Sequence, residues 1–565
     1  MKRFLSVLLA VIMLLAVVAV AVSCGDEKDP VTDKPETQGT EKQTEASQTE
    51  KEPDTQGTEA PVTEPPATEP PATESSATEP PATEPPATET SDTESSATEP
   101  PATDTETQGN AVVIPTQYVD VDFGGKTFNV VYRYQTAEDT PSGWGQVFDL
   151  YEDTENPDDA MSAAAKLFKA YMGSTFNCEV VGVPAIQAGT VLSTSIEAGE
   201  TKYDMGIYNT SPYGFANSGK YYNLLPMLDQ SLTCWDTAVI RDLALGNKLY
   251  GITGNCSTSD DDYTWVMFFN KAILSENNIE YPYQLVKDGK WTIDKFLEYS
   301  RACAKDLDGD NTISNTEGKD IFGFVTHGEH SPAVWIGCGV RMAGPVQADG
   351  KIKTSCFALG YEADVYQKTI DVLWDSATGY ANKQANMGVP EGLRTVFTSG
   401  RAAFYAEVLQ NIGNSYQSGC LKDVEGLSFG VIPQPKWDEE QSSYYHYVNT
   451  QASFIGIPIT TNYAISSTFI NVYGLVFEQI VQAKFISNVA TAWVSDPDVA
   501  DMMTLIFNSR VWDAGYWLDQ ASVHSMLLSD VGTQKNRYAK RVPSGETKLQ
   551  ANLDSYYDKV MSLTV

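Results

Sequence analysis

The sequence predicts an α/β protein, because strand and helix patterns alternate along much of the chain. Residues 127–132 alternate apolar and polar side chains as a strand does, 160–172 have the spacing of an amphipathic helix, and 177–183 form a second strand pattern. Later, the aromatic and β-branched run 263–269 precedes another helix pattern. A strand, helix, strand order favours parallel strands joined by right-handed crossovers.

The next strand pattern, 203–208, precedes a candidate binding loop. Residues 209–212 lack regular periodicity, and 213–218 favour a helical turn. Ligands of open α/β sheets collect at the carboxyl ends of strands. The sequence therefore predicts that loop 208–213 lies at a binding site.

The passage 263–304 has the clearest local signals. Asn270 ends the apolar run, and a short helical segment follows over 271–277. Thr292 can cap a longer helix, and Asp294 suits its first turn. Apolar residues at helical spacing after Thr292 predict one buried face, which would pack on the sheet.

The first residues resemble an export signal. Lys2 and Arg3 precede a 19-residue run, 4–22, that is apolar except for Ser6, and then Ser23 and Cys24. The motif 21–24 resembles the lipobox of bacterial lipoproteins, which implies a signal peptide over 1–23, lipidation of Cys24 and an outward-facing chain. The alternative is an uncleaved membrane helix, since an apolar run of 19 residues is close to spanning length.

Residues 24–109 are predicted to be a disordered spacer. Thr-Glu-Pro-Pro-Ala pentads fill much of this stretch, which holds almost nothing that could be buried. Residues 25–109 contain 22 Asp and Glu against 4 Lys, so they carry −18 of the net charge of −37. No cluster of Lys or Arg follows the first residues, which argues against nucleic-acid binding.

The cysteines after Cys24 do not predict a disulfide framework. Their number, seven, is odd, and no pair has the Cys-x-x-Cys spacing of a metal or redox site. Because several lie in apolar surroundings, we interpret them as small core residues and predict no pairing.

Several passages, in order, resemble family 1 of the extracellular solute-binding proteins, the sugar-binding group of ATP-binding-cassette (ABC) importers. The first is WVMFFNKAILSENNIEYPYQLVKDGKWTIDKFLEYSRACAKDLDGD, where that family passes from its first lobe to its second. Residues 243–254 resemble a family hairpin, 397–404 and 429–436 resemble later signatures, and 453–458 resemble the return strand. The resemblance covers residues 119–510.

The resemblance implies a two-lobed, periplasmic-binding-protein-like (type II) α/β fold within the solute-binding domain, 110–565. Its first lobe would comprise about 119–265 and 453–485, and its second about 266–452 and 486–565. Crossover strands near Val266 and Ser453, and a later passage toward the carboxyl terminus, would join the lobes. The cleft would close on a ligand by hinge motion.

By the same resemblance, six residues are ligand candidates. Aromatic rings stack on the apolar faces of sugars, while amides and carboxylates pair with sugar hydroxyls. The alternative is that these aromatics are ordinary packed residues. The candidates are Tyr208, Asn209, Tyr213, Trp335, Glu407 and Trp512.

The function that the resemblance implies is capture of a saccharide, in particular an oligosaccharide, for ABC permease subunits, by a protein that touches the membrane only through its lipid anchor. The location implied is the extracellular face of the cell membrane. We find no catalytic motif, such as Gly-x-Ser-x-Gly, and predict no enzyme. The alternatives are a secreted enzyme that acts on polysaccharide, and a surface receptor or adhesin on the same fold.

A twelve-residue stretch after the helix fits a calcium loop. Carboxylates at its first, third and fifth positions and at its twelfth supply hard oxygen ligands for Ca²⁺, with a backbone carbonyl at the seventh. Asn311 stands where Gly is usual, and Asn tolerates the left-handed conformation. An acidic turn without metal is the alternative. The predicted ligands of a structural Ca²⁺ are Asp306, Asp308, Asp310, Thr312, Ser314 and Glu317.

Overall fold

A computed structural model describes most of the chain after residue 110. The described residues are 111–134, 149–153, 159–381, 383–384, 387, 391–413, 420–518 and 523–564, and they lie in one compact unit, Thr105–Val565. The predicted signal peptide, the lipidation at Cys24 and the spacer 24–109 all lie outside the described residues.

Thirteen strands occur in the described residues. Their bounds are β1 Lys126–Arg133, β2 Cys178–Ala185, β3 Met205–Tyr208, β4 Trp265–Asn270, β5 Phe322–Thr326, β6 Ala343–Val346, β7 Ile352–Thr354, β8 Thr378–Tyr380, β9 Ala402–Val408, β10 Phe429–Ile432, β11 His446–Tyr447, β12 Phe454–Gly456 and β13 Arg510–Val511.

Seventeen α-helices occur there, besides short 3-10 turns. Their bounds are α1 Ala160–Phe176, α2 Ala188–Glu197, α3 Pro212–Ser218, α4 Thr237–Leu243, α5 Ser259–Asp262, α6 Lys271–Glu276, α7 Tyr283–Lys287, α8 Ile293–Cys303, α9 Ser331–Gly337, α10 Glu362–Trp374, α11 Glu391–Thr398, α12 Tyr463–Phe477, α13 Ala483–Ser487, α14 Val499–Asn508, α15 Ala514–Trp517, α16 Val523–Gly532 and α17 Tyr538–Ser562.

The first sheet has the order β12-β3-β1-β2. Strand β1 is parallel to β2 and β3, as the strand, helix, strand order predicts, and β12 is antiparallel to β3. The Asp159 carboxylate caps α1 by accepting from the backbone N–H groups of Met161 and Ser162. The ring of Phe168 in α1 packs 5.1 Å from that of Tyr473 in α12. We call this sheet and the helices packed on it the first lobe.

The second sheet has the order β10-β4-β9-β5-β8. Strand β4 is antiparallel to both neighbours, whereas β9, β5 and β8 run parallel to one another. Every residue of β4 is buried. Helix α8 covers this sheet, and the ring of Phe296 lies 4.9 Å from that of Phe324. The predicted cap is confirmed, since the Thr292 hydroxyl accepts from the Lys295 backbone N–H. We call this sheet and its helices the second lobe.

The predicted two-lobed α/β architecture is confirmed, because the chain crosses between the two sheets where predicted. It enters the second sheet at β4, which contains Val266, and returns to the first at β12, directly after Ser453. The third passage is marked by Asp496, whose carboxylate lies 2.5 Å from the Lys271 ammonium and accepts from the Tyr283 hydroxyl in the second lobe.

One predicted element is wrong. Residues 243–254 resemble a hairpin in sequence, but the chain there ends α4, makes a 3-10 turn over Leu245–Asn247 and forms one isolated bridge, Ile252 to Ile455. The left-handed Gly246 (φ 61°) and Asn247 (φ 56°) turn the chain, and its polar backbone groups then pair with distant residues.

All seven cysteines after Cys24 are buried, free thiols.

Two long helices shape the first lobe's periphery. The continuous helix 463–493 includes α12 and α13 with two π-helical stretches, and it is long and apolar enough to cross a membrane. In the most apolar stretch of this helix, 61% of the window is buried inside the protein, where the helix packs on α1.

The final helix, α17, and the residue that follows it contact distant parts of the chain. Lys248 donates to the carbonyl oxygen of Leu563, and Gln550 accepts from the Thr354 N–H.

Candidate functional site

The loop after β3 lies between two cavities. Asn209 and Thr210 line one of about 360 Å³, together with Arg133, the last residue of β1, and residues 186–190, which follow β2. Ser211 lines the other, of about 260 Å³, together with Gln451 and Trp517. The Asn209 side-chain amide donates to the Gln451 side-chain oxygen (3.2 Å), which ties the loop to the segment that returns from the second lobe. The predicted binding loop is therefore next to open space on both sides.

Tyr208 forms the wall of the larger cavity. Its hydroxyl lies 2.8 Å from that of Tyr221, and burial raises its pKa above the usual range. A Cβ at Gly189 of α2 would stand 2.7 Å from the Tyr208 ring, so only glycine permits this close approach. The ring is half-buried and held in place, with one side toward the cavity.

The smaller cavity has an aromatic wall from α15. Trp517 and Tyr516 line it beside Thr450 and Gln451. The Tyr516 hydroxyl and the Trp517 indole N–H are buried and have no hydrogen-bond partner among the described residues. Unpaired buried donors are rare and call for an explanation, such as a ligand or water that completes them.

Trp512, a predicted ligand candidate, is fully buried behind that wall. Its ring lies 5.0 Å from Trp517 and 5.2 Å from Phe454, and its indole N–H donates to the Asp236 carboxylate (2.8 Å). The side chain supports the aromatic wall and does not itself line either cavity.

Glu407, another candidate, lies at the carboxyl end of β9 and is fully buried. Its carboxylate is 2.8 Å from the His327 imidazole, and it also accepts from the Val408 backbone N–H (2.9 Å). The Trp265 ring is 5.5 Å from His327 and 5.5 Å from His330, and its indole N–H has no described partner. Polar and aromatic groups thus converge at this edge of the second sheet.

Glu329 extends this polar cluster toward α15. Its carboxylate lies 3.4 Å from the His524 imidazole, whose ring is 5.0 Å from that of Tyr516. Burial would raise the pKa of Glu329, but the close contact with the His524 imidazole and the charges of His524 and His327 lower it overall. Burial raises the pKa of Tyr380 to about 12, with the charge of Glu329 adding to the shift.

The other two aromatic candidates are occupied by internal contacts. Tyr213 in α3 lies against Tyr556 of α17, with ring centroids 3.8 Å apart, and burial raises its pKa to about 12. Trp335 in α9 is fully buried, 5.8 Å from the Tyr366 ring. The structure brings Tyr208 and Asn209 together, places Glu407 in the second lobe's cluster, and puts Tyr213, Trp335 and Trp512 against other side chains.

Sequence reasoning missed several polar residues around the cavities. Arg133 ends β1 and lines the larger cavity, and Gln451 precedes β12 and lines the smaller. Arg133 stands at the carboxyl end of a predicted strand, so the rule that placed Asn209 could have found it. Gln451 stands before the amino end of β12, where that rule does not apply. No sequence pattern predicts Tyr516 as a cavity residue. It lies in α15, a helix of four residues, which is too short to show helical periodicity.

A buried charged cluster adjoins Trp512, whose indole N–H donates to one of its members, Asp236. The Arg510 guanidinium is 2.7 Å from the carboxylates of Asp260 and Asp261 and 3.7 Å from that of Asp236. Burial would lower the pKa of Arg510, but the three carboxylates raise it overall. Asp236, Asp260 and Asp261 all precede the first crossing, whereas Arg510 in β13 follows the third passage, so the cluster joins distant segments of the chain.

The acidic loop gathers a different set of oxygens from the predicted one. Asp306, Asp308 and Asp320 each offer a carboxylate oxygen, and these three atoms lie within 4.8 Å of one another. Glu317, the predicted twelfth-position ligand, instead lies 2.6 Å from the Lys319 ammonium. Asn311 has φ +65°, which confirms the left-handed conformation expected of it. Three carboxylates at this spacing fit a hard divalent cation such as Ca²⁺.

Comparisons with known proteins give structural likenesses only. No family model matches the chain, and no curated protein matches it. Among similar solved structures are an ABC substrate-binding protein from Listeria monocytogenes in complex with cycloalternan (12% identity, 76% of this chain and 98% of that one, TM-score 0.43) and a sugar transporter from Rhizobium etli in an open conformation (14%, 78% and 100%, 0.46). A third is the galacto-N-biose- and lacto-N-biose I-binding protein of the ABC transporter from Bifidobacterium longum, in complex with lacto-N-biose (13%, 78% and 99%, 0.47).

Proposed function

We propose that the chain is a solute-binding protein that captures a saccharide between its two lobes and releases it unaltered to ABC permease subunits. The observation that carries the proposal is the position of the loop after β3, between two cavities and tied to the returning segment through Asn209 and Gln451. The solved structures named above have TM-scores below 0.5. The proposal therefore rests on the sequence passages and on this chain's own cavities.

The chemistry of the cavity walls supports a saccharide. Tyr208 and Trp517 present aromatic surface, while Asn209, Gln451 and the Thr450 hydroxyl supply polar groups beside it. A pocket with aromatic walls and a few oriented polar groups is typical of small-molecule sites. Sugar rings combine apolar faces with hydroxyls and match such walls on both counts.

The order of the crossings supports hinge closure. Ser211 of the first lobe lines the smaller cavity together with residues 450–451 and 516–518, whereas the described lining of the larger cavity comes from the first lobe alone. A ligand in the smaller cavity that touches both sides would favour the closed arrangement. The export signal and the lipobox-like motif ending at Cys24 support a location on the extracellular face of the cell membrane, with the spacer 24–109 between anchor and binding domain. Within this proposal the protein catalyses no reaction and binds no nucleic acid.

We retain calcium as a proposed structural ion of the loop after α8, with Asp306, Asp308 and Asp320 as the carboxylate ligands. The hydrogen bond from the Asp310 N–H lowers the pKa of Asp308, but desolvation and the neighbouring carboxylates raise it overall. Mutual repulsion of this kind is relieved when a cation binds.

A thermal-shift screen of residues 110–565 against a panel of oligosaccharides tests the proposed binding. We expect at least one saccharide to raise the melting temperature, and we expect Asn209→Ala to reduce that shift. Gln284→Ala, an exposed amide that bonds only to Asp288 nearby, is the matched control and should retain it. A panel without any stabilising saccharide would contradict the proposal, and cleavage of a bound glycan would favour the enzyme alternative.

A further inference from the structure

Arg133 differs from the other described arginines in having no side-chain hydrogen bond to a described residue, whereas Arg394 and Arg401, which also lack a carboxylate partner, donate to the side-chain oxygens of Asn411 and Asn315. Arg133 ends β1, is half-buried, and makes no hydrogen bond or ion pair with any described residue. The chain has 75 Asp and Glu against 38 Lys and Arg, so acidic partners are plentiful. Arginines paired with carboxylates elsewhere in the described chain are Arg241, Arg301, Arg341, Arg510, Arg537 and Arg541.

The surroundings of Arg133 form a cavity rather than a protein contact. The space of about 360 Å³ is lined by polar residues, and Arg133 is its one charged lining residue among those described. This volume lies within the range of roughly 300–1,000 Å³ that is usual for small-ligand pockets. The polar lining residues include Gln187, Thr190, Tyr208, Asn209 and Thr210.

Local electrostatics in this cavity favour an anion. Burial lowers the pKa of Arg133, and Tyr263 is the one described group whose interaction opposes that shift. The first turn of α2, residues 188–190, lines the same cavity, and its N-cap Gln187 makes no side-chain capping hydrogen bond. The uncapped amino end of this ten-residue helix adds positive potential beside the guanidinium.

We propose that the saccharide bound at this site carries an anionic group, a uronic acid carboxylate, which pairs with the Arg133 guanidinium. A guanidinium presents parallel N–H donors in a rigid plane that matches a carboxylate in two-point contact. The hydroxyls and amides beside Arg133 would meet the ring hydroxyls of the same sugar. This inference rests on the proposed function, because it identifies the class of saccharide for that site.

The test is calorimetric titration of the full-length chain in a detergent without a sugar headgroup. The ligands are uronic acid trisaccharides of gluco, galacto and manno configuration, each beside its methyl ester, together with neutral trisaccharides. Esterification removes the negative charge and adds one methyl group. Arg133→Gln removes the guanidinium, Arg133→Lys keeps the charge without the two-point geometry, and Lys540→Gln is a control for charge on an exposed side chain of α17.

We expect at least one acidic trisaccharide to bind, its ester to bind about tenfold more weakly or worse, and Arg133→Gln to lose affinity to the same extent. Arg133→Lys should lose less, Lys540→Gln should bind as the parent does, and added salt should weaken the acidic ligand alone. If neutral sugars or esters bind as well as the acids, or Arg133→Gln keeps full affinity, the inference is wrong and the proposed function stands. If no saccharide of any series binds, both are wrong.

Discussion

His330 shows how burial sets the protonation of single residues near the second sheet's edge. Its ring is fully enclosed, 5.5 Å from Trp265 and 5.5 Å from Phe324, and Nε2 lies 2.9 Å from the Gln434 side-chain oxygen. Burial lowers the pKa of His330 to about 4, from 6.5. The folded protein therefore holds this imidazole neutral over a range where an unfolded chain would protonate it.

The lowered pKa predicts a specific dependence of stability on pH. Because the unfolded chain binds a proton below pH 6.5 and the folded one does so only near pH 4, stability is full above pH 6.5 and falls as the pH drops toward 4. The contribution is up to about 3 kcal/mol. His330→Phe should remove this part of the dependence, measured as urea unfolding free energy between pH 7 and 4. A variant with the same slope as the parent would contradict the assignment.

The buried Arg510 guanidinium stabilises the charged form of the carboxylates that contact it. Removing Arg510 leaves the buried Asp260 and Asp261 without the guanidinium that each contacts at 2.7 Å. We expect Arg510→Met to destabilise the protein by about 3–5 kcal/mol, measured by denaturant unfolding. Arg301→Met is the matched control: Arg301 pairs with Asp375 on the surface, and its loss should cost less than about 1 kcal/mol. Equal effects of both variants would show that the cluster contributes no more to stability than a surface ion pair.

The sequence could not predict which aromatic residues line a cavity. Trp335 and Trp512 were candidates because sugar sites use tryptophan, yet both are fully buried behind other rings. Their ligand roles stay predictions. The sequence alone does not distinguish a tryptophan that lines a cavity from one that packs behind the lining residues. Asn209 was easier to identify, since its place after a strand predicts the cavity edge by topology alone.

At the scale of elements, the acidic loop after α8 predicts a calcium dependence of stability. If Ca²⁺ binds there, adding it should raise the melting temperature, and Asp308→Asn or Asp320→Asn should remove that rise. Differential scanning calorimetry with Ca²⁺ or with chelator measures the effect.

Glu317→Gln separates the two ligand sets for this loop. Glu317 lies beside Lys319 rather than with the three converging carboxylates, so the variant should keep the calcium response. Loss of the response in Glu317→Gln would restore the twelve-residue arrangement predicted from the sequence. No response to Ca²⁺ in the parent protein would show that the loop is an acidic turn without metal.

The contact between α3 and α17 makes a second prediction for elements. Tyr213 and Tyr556 lie with ring centroids 3.8 Å apart, and aromatic pairs of this kind contribute about 1 kcal/mol beyond their buried area. A double-mutant cycle with Tyr213→Ala and Tyr556→Ala should give a coupling energy of about 1 kcal/mol in unfolding. If Tyr213 binds saccharide instead, its alanine variant should lose affinity while Tyr556→Ala retains it, and the coupling should be near zero.

For the whole molecule, the order of elements was predictable and the long-range contacts were not. The parallel strands, the cap at Thr292 and the crossings near Val266 and Ser453 follow from local patterns and a family resemblance. The charged cluster joins residues up to 274 positions apart, from Asp236 to Arg510. Nothing in either segment indicates the other, because a buried ion pair depends on where the completed fold places the two side chains.

The two-lobed architecture makes its own prediction, closure on the ligand. Ser211 of the first lobe and residues 450–451 and 516–518 border the smaller cavity, so a ligand there that contacts both lobes should shift the population toward a closed form. We expect the radius of gyration of residues 110–565, measured by X-ray scattering, to decrease when a stabilising saccharide is added. Asn209→Ala should need more saccharide for the same decrease, because its link to Gln451 and its place at the cavity are lost. A saccharide that binds tightly and leaves the scattering unchanged would show that capture does not involve hinge motion.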